Sequence, residues 1–494
     1  MGRAQPLPPS IGLGISRGFQ KGLLIKRTRS GSNAKEVEVS DDEVISPATV
    51  ESGPKKSSLR ATTVLRVPKV WILPLLIPAI MIALVTAIYI GSVVDPVDHI
   101  SGLPVLVVNQ DVGAATPSGH VDLGRSVVKA LRTSPGVTKR LDMQTATLAQ
   151  AKADMDRGAA YATVVIPSTF SASALLNAGL PAPSGTSPPG IPQVQLLENS
   201  RLGSLGVNLA AGVLTPAIHD ISTSLGTQLK AKSTAAVTAN PVLSAHLADP
   251  ITLTTTTYRP LPTHTALGLS AFYVSLIAIL AGFLAGTVIN SSLDSALGYA
   301  TTDMGPRWKM RMPLPISRRQ TLLAKLSVAV VAAPVLTGVI LAVAIAGFGM
   351  DAPHFGILWL LLILTTLMVT CATLALLAAF GNMGQLLAMV LIIYLSLSSS
   401  GGTVPIQALP GFFRWIGAVE PLRQVLGGSR DILYFGAQWH VGLSHAVWVL
   451  GLELIFWVVF GLAIASWYDH RRLYRIPPEI LAFVRKTVAQ RTAS

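Results

Sequence analysis

Apolar positions along this chain fall into two patterns. Long unbroken runs occupy Val70–Val94, Thr265–Ile289, Leu326–Phe348, Phe355–Phe380 and Val447–Trp467. Each exceeds the roughly 18 apolar residues that a helix needs to cross a hydrocarbon layer of about 30 Å. A sixth run, Gly384–Leu397, is shorter and passes into SLSSSGGTVP. The pattern predicts six transmembrane helices. The first run begins too far into the chain and is too long for a cleaved leader, so it is expected to stay as a helix.

The second pattern lies between the first and second runs. Leu103–Asn109, Val137–Met143, Ala160–Pro167 and QVQLLEN (193–199) read as short strands. They alternate with helical stretches at Leu123–Thr133, at Thr145–Arg157 and from Ser168 onward. A long amphipathic helix follows, with Leu202, Leu205, Leu209, Val213, Ala217, Ile221, Leu225 and Leu229 spaced three and four apart. The Pro/Gly/Ser stretch 179–192 reads as a loop, and 250–264 as an extended return to the membrane. Alternating strands and helices predict an α/β unit. The expected fold is therefore a polytopic α-helical membrane protein with six transmembrane helices, 1 + 5, and an extracytoplasmic α/β domain between the first and second. Its parts are a disordered cytoplasmic region 1–60, a first helix 70–94, the α/β domain 95–264, a five-helix membrane domain 265–468 and a cytoplasmic tail 469–494. Ile11–Ile25 could lie on the inner leaflet as a basic amphipathic helix. No internal repeat of the spans is visible, which disfavours carriers built from inverted repeats.

Charge orients this arrangement. Twelve Lys/Arg precede the first run, five lie in 290–321 and six follow Trp467, whereas 349–354 has none and carries Asp351. Basic residues concentrate on cytoplasmic loops, which places both termini and 290–321 in the cytoplasm of a multi-pass cell-membrane protein. The net charge of +14 is thereby a topology signal. Nucleic acid is not an expected partner, because no basic segment carries interleaved aromatics or a known motif.

No chemistry of an enzyme stands out. There is no G-x-x-x-x-G-K-[ST] or H-E-x-x-H in the chain, and its one G-x-S-x-G, at Gly14–Gly18, follows no strand. Gly12, Gly14 and Gly18 miss the dinucleotide spacing, and the nine His are scattered. No cofactor or metal is called for. Cys371, the single cysteine, lies inside the fourth run and reads as packing filler.

Three regions carry candidate functional residues. The loop MGPRWKMRMPLPISRRQTLLAKL (304–326) combines cations with three prolines and Trp308, and Ser317 is placed to cap the helix that follows. It reads as a docking surface built on Arg307, Trp308, Arg311, Arg318 and Arg319. The stretch 401–436 is too charged to cross the membrane and too apolar for an ordinary loop. It predicts two short helices in the outer interface anchored by Phe412, Phe413, Trp415, Tyr434 and Phe435. In it, Glu420 with Arg423 and Arg430 with Asp431 are expected to neutralise each other. Glu453, inside the last run, is an ionisable group at membrane depth and so a functional candidate.

Beginning at Val107-Val108-Asn109-Gln110-Asp111-Val112-Gly113, with Leu123-Gly124 opening a helix and AYATVVIPSTFSASAL at 160–175, the chain resembles the YhgE/Pip group of the type-2 ABC exporter permease superfamily. PLPISRRQTLLAKL (313–326) resembles the loop entering the third span of such permeases, and EPLRQVLGGSRDILYFG (420–436) the re-entrant segment before their last span. The resemblance covers roughly residues 60–470. It implies a permease subunit that pairs as a homodimer or heterodimer, is driven by a separate cytoplasmic ATPase and exports a substrate across the cell membrane, with 304–320 against the ATPase. It equally implies an alternative, a non-transporting receptor or scaffold of the phage-infection or specialised-secretion type. At Val105–Val108 the residues themselves predict a strand buried on both faces, closed by a turn at Asn109, Asp111 and Gly113.

Overall fold

The computed structural model describes residues 68–475 apart from 94, 117–118, 181–190, 234–236, 238–239, 305–306, 310 and 474. The expectations for 1–60, including Ile11–Ile25, and for the tail beyond 475 lie outside the described residues.

Five strands form one mixed sheet. They are β1 (Leu103–Asn109), β2 (Leu141–Thr145), β3 (Ala162–Ile166), β4 (Gln193–Glu198) and β5 (Thr252–Thr257), in the order β2-β1-β3-β4-β5. β1 runs parallel to both β2 and β3, β4 is antiparallel to β3, and β5 is parallel to β4. The central strands are apolar because both their faces are covered. On one face Leu103, Val105, Val107 and Val164 meet helices α2 (Leu123–Thr133), α4 (Phe170–Asn177) and α5 (Ser204–Lys232). On the other, Leu106, Val108 and Val165 meet Ala151 and Met155 of α3 (Leu148–Asp156). Val213, Ala217, Leu225 and Leu229 of the predicted stripe are buried on α5, joined by Val207, Ala210, Leu214 and Ile218 to one side of it, whereas Leu205, Leu209 and Ile221 pack only partly. Two expectations shift. Pro135 opens a helical turn at Pro135–Thr138, which delays the second strand to Leu141. The Thr-rich return segment is the fifth strand rather than a mere extended connection.

The turn after β1 does structural work. The Asp111 carboxylate accepts N–H groups from Gly113 (3.3 Å), Gly124 (2.9 Å) and Ser171 (3.0 Å) and the hydroxyl of Ser171. It therefore ties the first turns of α2 and α4 to the end of β1. A Cβ on Gly124 would lie 2.5 Å from the Asp111 Cβ and 2.7 Å from Asn109 Oδ1, so only glycine lets the helix approach this closely.

Among the described residues, six helices are long and apolar enough to cross a membrane. The first, α1 (Pro68–Val93), precedes the sheet. The others are α6 (Ser270–Ala296), α7 (Arg318–Gly347), α8 (Phe355–Phe380), α9 (Asn382–Ser399) and α12 (Trp439–His470). Between α9 and α12 lie α10 (Gly411–Ile416) and α11 (Pro421–Tyr434). The run at 384–397 thus lies in a helix long and apolar enough to cross, and α7 and α12 extend well beyond their apolar runs. α8 is the central helix, packed against α6, α7, α11 and α12. It meets α6 at glycines: Gly282 and Gly286 of α6 face Val369 and Thr373 of α8. Across this seam the hydroxyls of Thr366 and Thr370 donate to the carbonyls of Ala278 (3.2 Å) and Gly282 (3.0 Å). Small residues and cross-helix hydroxyls are how helices associate where water supplies no driving force.

Candidate functional site

The segment 401–436 is welded to the α/β domain. Val404, Ala408, Leu409 and Phe413 belong to the same buried core as the sheet and α5. Around this core, arginines donate to carbonyls on neighbouring elements. Arg201 reaches Tyr434 O at 2.9 Å, and Arg414 reaches Gln407 O and Leu409 O, both at 3.2 Å. Arg430 reaches Gly402 O at 3.2 Å. The N–H of Ser101, at the start of the domain, donates to Gln407 O at 2.9 Å. α11 is fixed to the bundle in turn: the Tyr434 hydroxyl lies 2.7 Å from Ser270 Oγ and accepts from the Ala271 N–H.

Two short helices stand where the sequence predicts them, but the charges do not pair as expected. Among the described residues no ion pair joins Glu420 to Arg423 or Arg430 to Asp431. Adjacent residues on a helix point about 100° apart, so Arg430 turns to the carbonyls above. Asp431 instead accepts the N–H groups of Gln438 (3.0 Å), Gly442 (3.2 Å) and Leu443 (3.1 Å), clamping the end of α11 to the start of α12. Glu420 occupies the extended position before α11 and accepts from the Ser396 hydroxyl of α9. Arg423 is left beside Tyr161 of the α/β domain. The expected anchors also divide. Phe412 and Trp415 are exposed as anchors should be, but Phe413, Tyr434 and Phe435 are buried packing residues.

Burial pushes the Glu420 carboxyl up to about 7, with the Ser396 hydroxyl opposing. The folded protein therefore holds a proton that an unfolded chain, near 4.5, has lost. Over this window stability falls as pH rises. Glu420→Gln should flatten the decline in thermal midpoint between about pH 5 and pH 8. Parent and variant curves of equal slope would show that Glu420 is not the titrating group. Glu453 of α12 is half-buried and makes no hydrogen bond or ion pair among the described residues. Among the described residues no basic side chain pairs with it.

At the other end of the bundle the ends of α6, α7, α8 and α12 converge. Lys325 of α7 places Nζ 2.7 Å from both Asn290 Oδ1 and Asp294 Oδ1 of α6. Arg475 donates to the same Asp294 oxygen at 2.7 Å. Asp469 of α12 caps α7, accepting the backbone N–H groups of Arg318 (2.9 Å) and Arg319 (3.0 Å). Ser317 accepts the Gln320 N–H, as the sequence predicts. The Arg318 side chain folds inward, 5.0 Å above the Tyr468 ring, and donates Nε to Leu473 O at 2.8 Å. Arg311 and Arg319 remain exposed. Arg307 lies on the second strand of a small hairpin, Thr302–Met304 with Arg307–Lys309; the side chains of Arg307 and Trp308 lie outside the described residues.

The Asn290, Asp294 and Lys325 set was not foreseen. Its signal was available in two opposite charges, each within two turns of the end of consecutive spans.

Residues 68–465 match the family model described as "ABC-2 family transporter protein". Among solved structures, a domain of an ABC type-2 transporter candidate from Thermotoga maritima MSB8 is 20% identical, covering 31% of this chain and 85% of that one, with a TM-score of 0.21. At that score the likeness says nothing about shape. No curated protein matches.

Proposed function

The chain belongs to the ABC-2 transporter family, whose members are membrane transporter components working with an ATPase subunit, and from this we propose that it is an export permease of the cell membrane. In this reading it pairs with itself or a homologue, and a separate ATPase binds the end of the bundle bearing Arg311 and Arg319. That end would face the cytoplasm, with both termini, as the distribution of Lys and Arg suggests.

The observation carrying the reading is the mechanical continuity between that end and the rest of the bundle. Asp469 joins the exposed start of α7 to the end of α12. Asp431 clamps the other end of α12 to α11, and α11 is bonded to the α/β domain through Arg201. A displacement applied near Arg319 would thus reach the segment 401–436 through hydrogen-bonded joints rather than loose loops.

Reversing Arg311 and Arg319 together to Glu tests the docking half. A tagged full-length chain purified from its native membrane should bring down a P-loop ATPase, and the double variant should lose it while still entering the membrane. Purification without any ATPase, with an unchanged cellular phenotype in the double variant, would favour a receptor or secretion scaffold of the YhgE/Pip type. Arg318 is unsuitable for this test, because its side chain is committed to Tyr468 and Leu473.

A further inference from the structure

A cavity of about 410 Å³ opens where α6, α7, α8 and α12 end, lined by Asn290, Asp294, Tyr299, Arg318, Asn382 and Arg475 among others. Lys325 lines a small adjoining space together with Arg318 and Arg475. Three cations therefore surround one lining carboxylate, Asp294, and two of them share a single oxygen of it. The other nearby acid, Asp469, spends both oxygens on the backbone of α7. The cluster thus carries an excess of positive charge.

The guanidiniums are also posed. Arg318 lies 5.0 Å from the Tyr468 ring centre and Arg475 lies 5.2 Å from that of Tyr299. Both phenols are themselves fixed, Tyr468 by donating to Ala379 O and Tyr299 by donating to Leu314 O, each at 2.7 Å. A stacked guanidinium holds its face to the ring and leaves its N–H edge for an acceptor. Arg318 uses only Nε and Arg475 only Nη1 among the described residues. The remaining terminal nitrogens offer the planar fork that suits phosphate oxygens.

We propose that this cavity binds a phosphate-bearing anion, a phospholipid headgroup or a soluble phosphate, between Arg318 and Arg475. Its volume is within the range of small-ligand pockets. Its position at the common end of four apolar helices is where a lipid headgroup would lie.

The purified full-length chain can be titrated in detergent with dioctanoyl phosphatidylglycerol, with zwitterionic dioctanoyl phosphatidylcholine and with inorganic phosphate, following the thermal midpoint. The proposal expects saturable stabilisation by phosphatidylglycerol that exceeds that by phosphatidylcholine. Arg475→Gln should weaken the apparent affinity about tenfold or more, as loss of a charged hydrogen-bonding group does. Asn382→Asp adds a negative charge to the lining without removing a structural contact, in a first helical turn that tolerates a carboxylate. It should weaken binding too, which keeps the test decisive if Arg475→Gln folds poorly. Stabilisation by inorganic phosphate alone, lost in the same variants, would assign the site to a soluble phosphate. Equal responses to both lipids, or responses unchanged in both variants, would overturn the proposal.

Discussion

Lys325→Met is expected to lower the stability of the folded chain by ~3–5 kcal/mol, the range seen when one member of a buried ion pair is removed. The Lys325 side chain is only 3% exposed and its ammonium holds both Asn290 and Asp294 of α6. Without it, Asp294 keeps Arg475, a partner with 24% of its side chain exposed, while Asn290 Oδ1 loses its donor in a buried seam. The cost arises because Asp294 is left with one of its two cations and Asn290 without its donor. Hence Lys325→Met combined with Asp294→Asn should recover part of the loss, because the carboxylate leaves with its ammonium, although Arg475 then loses its own carboxylate partner. Thermal unfolding of both variants in the same detergent decides the matter. A double variant no more stable than the single one would mean that the pair contributes through shape alone.

That pair marks where the sequence stops being legible. The apolar runs locate the spans because a bilayer imposes a length, and the residues of β1 and β3 announce buried strands because nothing else in the chain concentrates Val and Ile so briefly. α2 stands at its predicted boundaries, Leu123–Thr133, because Asp122 caps it locally. What the pattern cannot supply is pairing between distant residues. Lys325 and Asp294 are separated by 31 positions, and each alone reads as loop charge beside an apolar run. Ser317 marks the start of α7 in the sequence, but that Asp469 of α12 accepts its first N–H groups is seen only in three dimensions. Conversely, Arg430 beside Asp431 looks like a pair in one dimension and is not one on a helix. Thr252–Thr257 reads as a connection because its alternation is weak; only its β-branched content hints at a strand added to the edge of the sheet. The proposed docking residues Arg311 and Arg319 are visible as charge, but the withdrawal of Arg318 towards Tyr468 is seen only in three dimensions.

Gly282→Leu is expected to be the most damaging of the leucine substitutions at Gly282, Gly286 and Gly338. A Cβ at 282 would stand 2.7 Å from the Val369 Cβ and 2.8 Å from the Thr366 carbonyl oxygen, a backbone atom that cannot turn aside. α6 and α8 would have to separate. The separation would stretch the hydrogen bonds from Thr366 to Ala278 O and from Thr370 to Gly282 O. Overpacking of a filled core costs about 1–3 kcal/mol, and the two stretched hydroxyl bonds would add to it. A Cβ at 286 would stand 2.7 Å from the Thr373 Cβ, but its nearest backbone atom, Thr370 O, lies farther off at 3.3 Å, so Gly286→Leu should be milder. Gly338 is the internal control: on α7 a Cβ there meets only the Trp359 indole nitrogen at 3.8 Å, and Gly338→Leu should be nearly neutral. The expected order of thermal midpoints is therefore Gly338→Leu, then Gly286→Leu, then Gly282→Leu as the lowest. Similar midpoints for all three would show that α6 and α8 are not held at glycine distance.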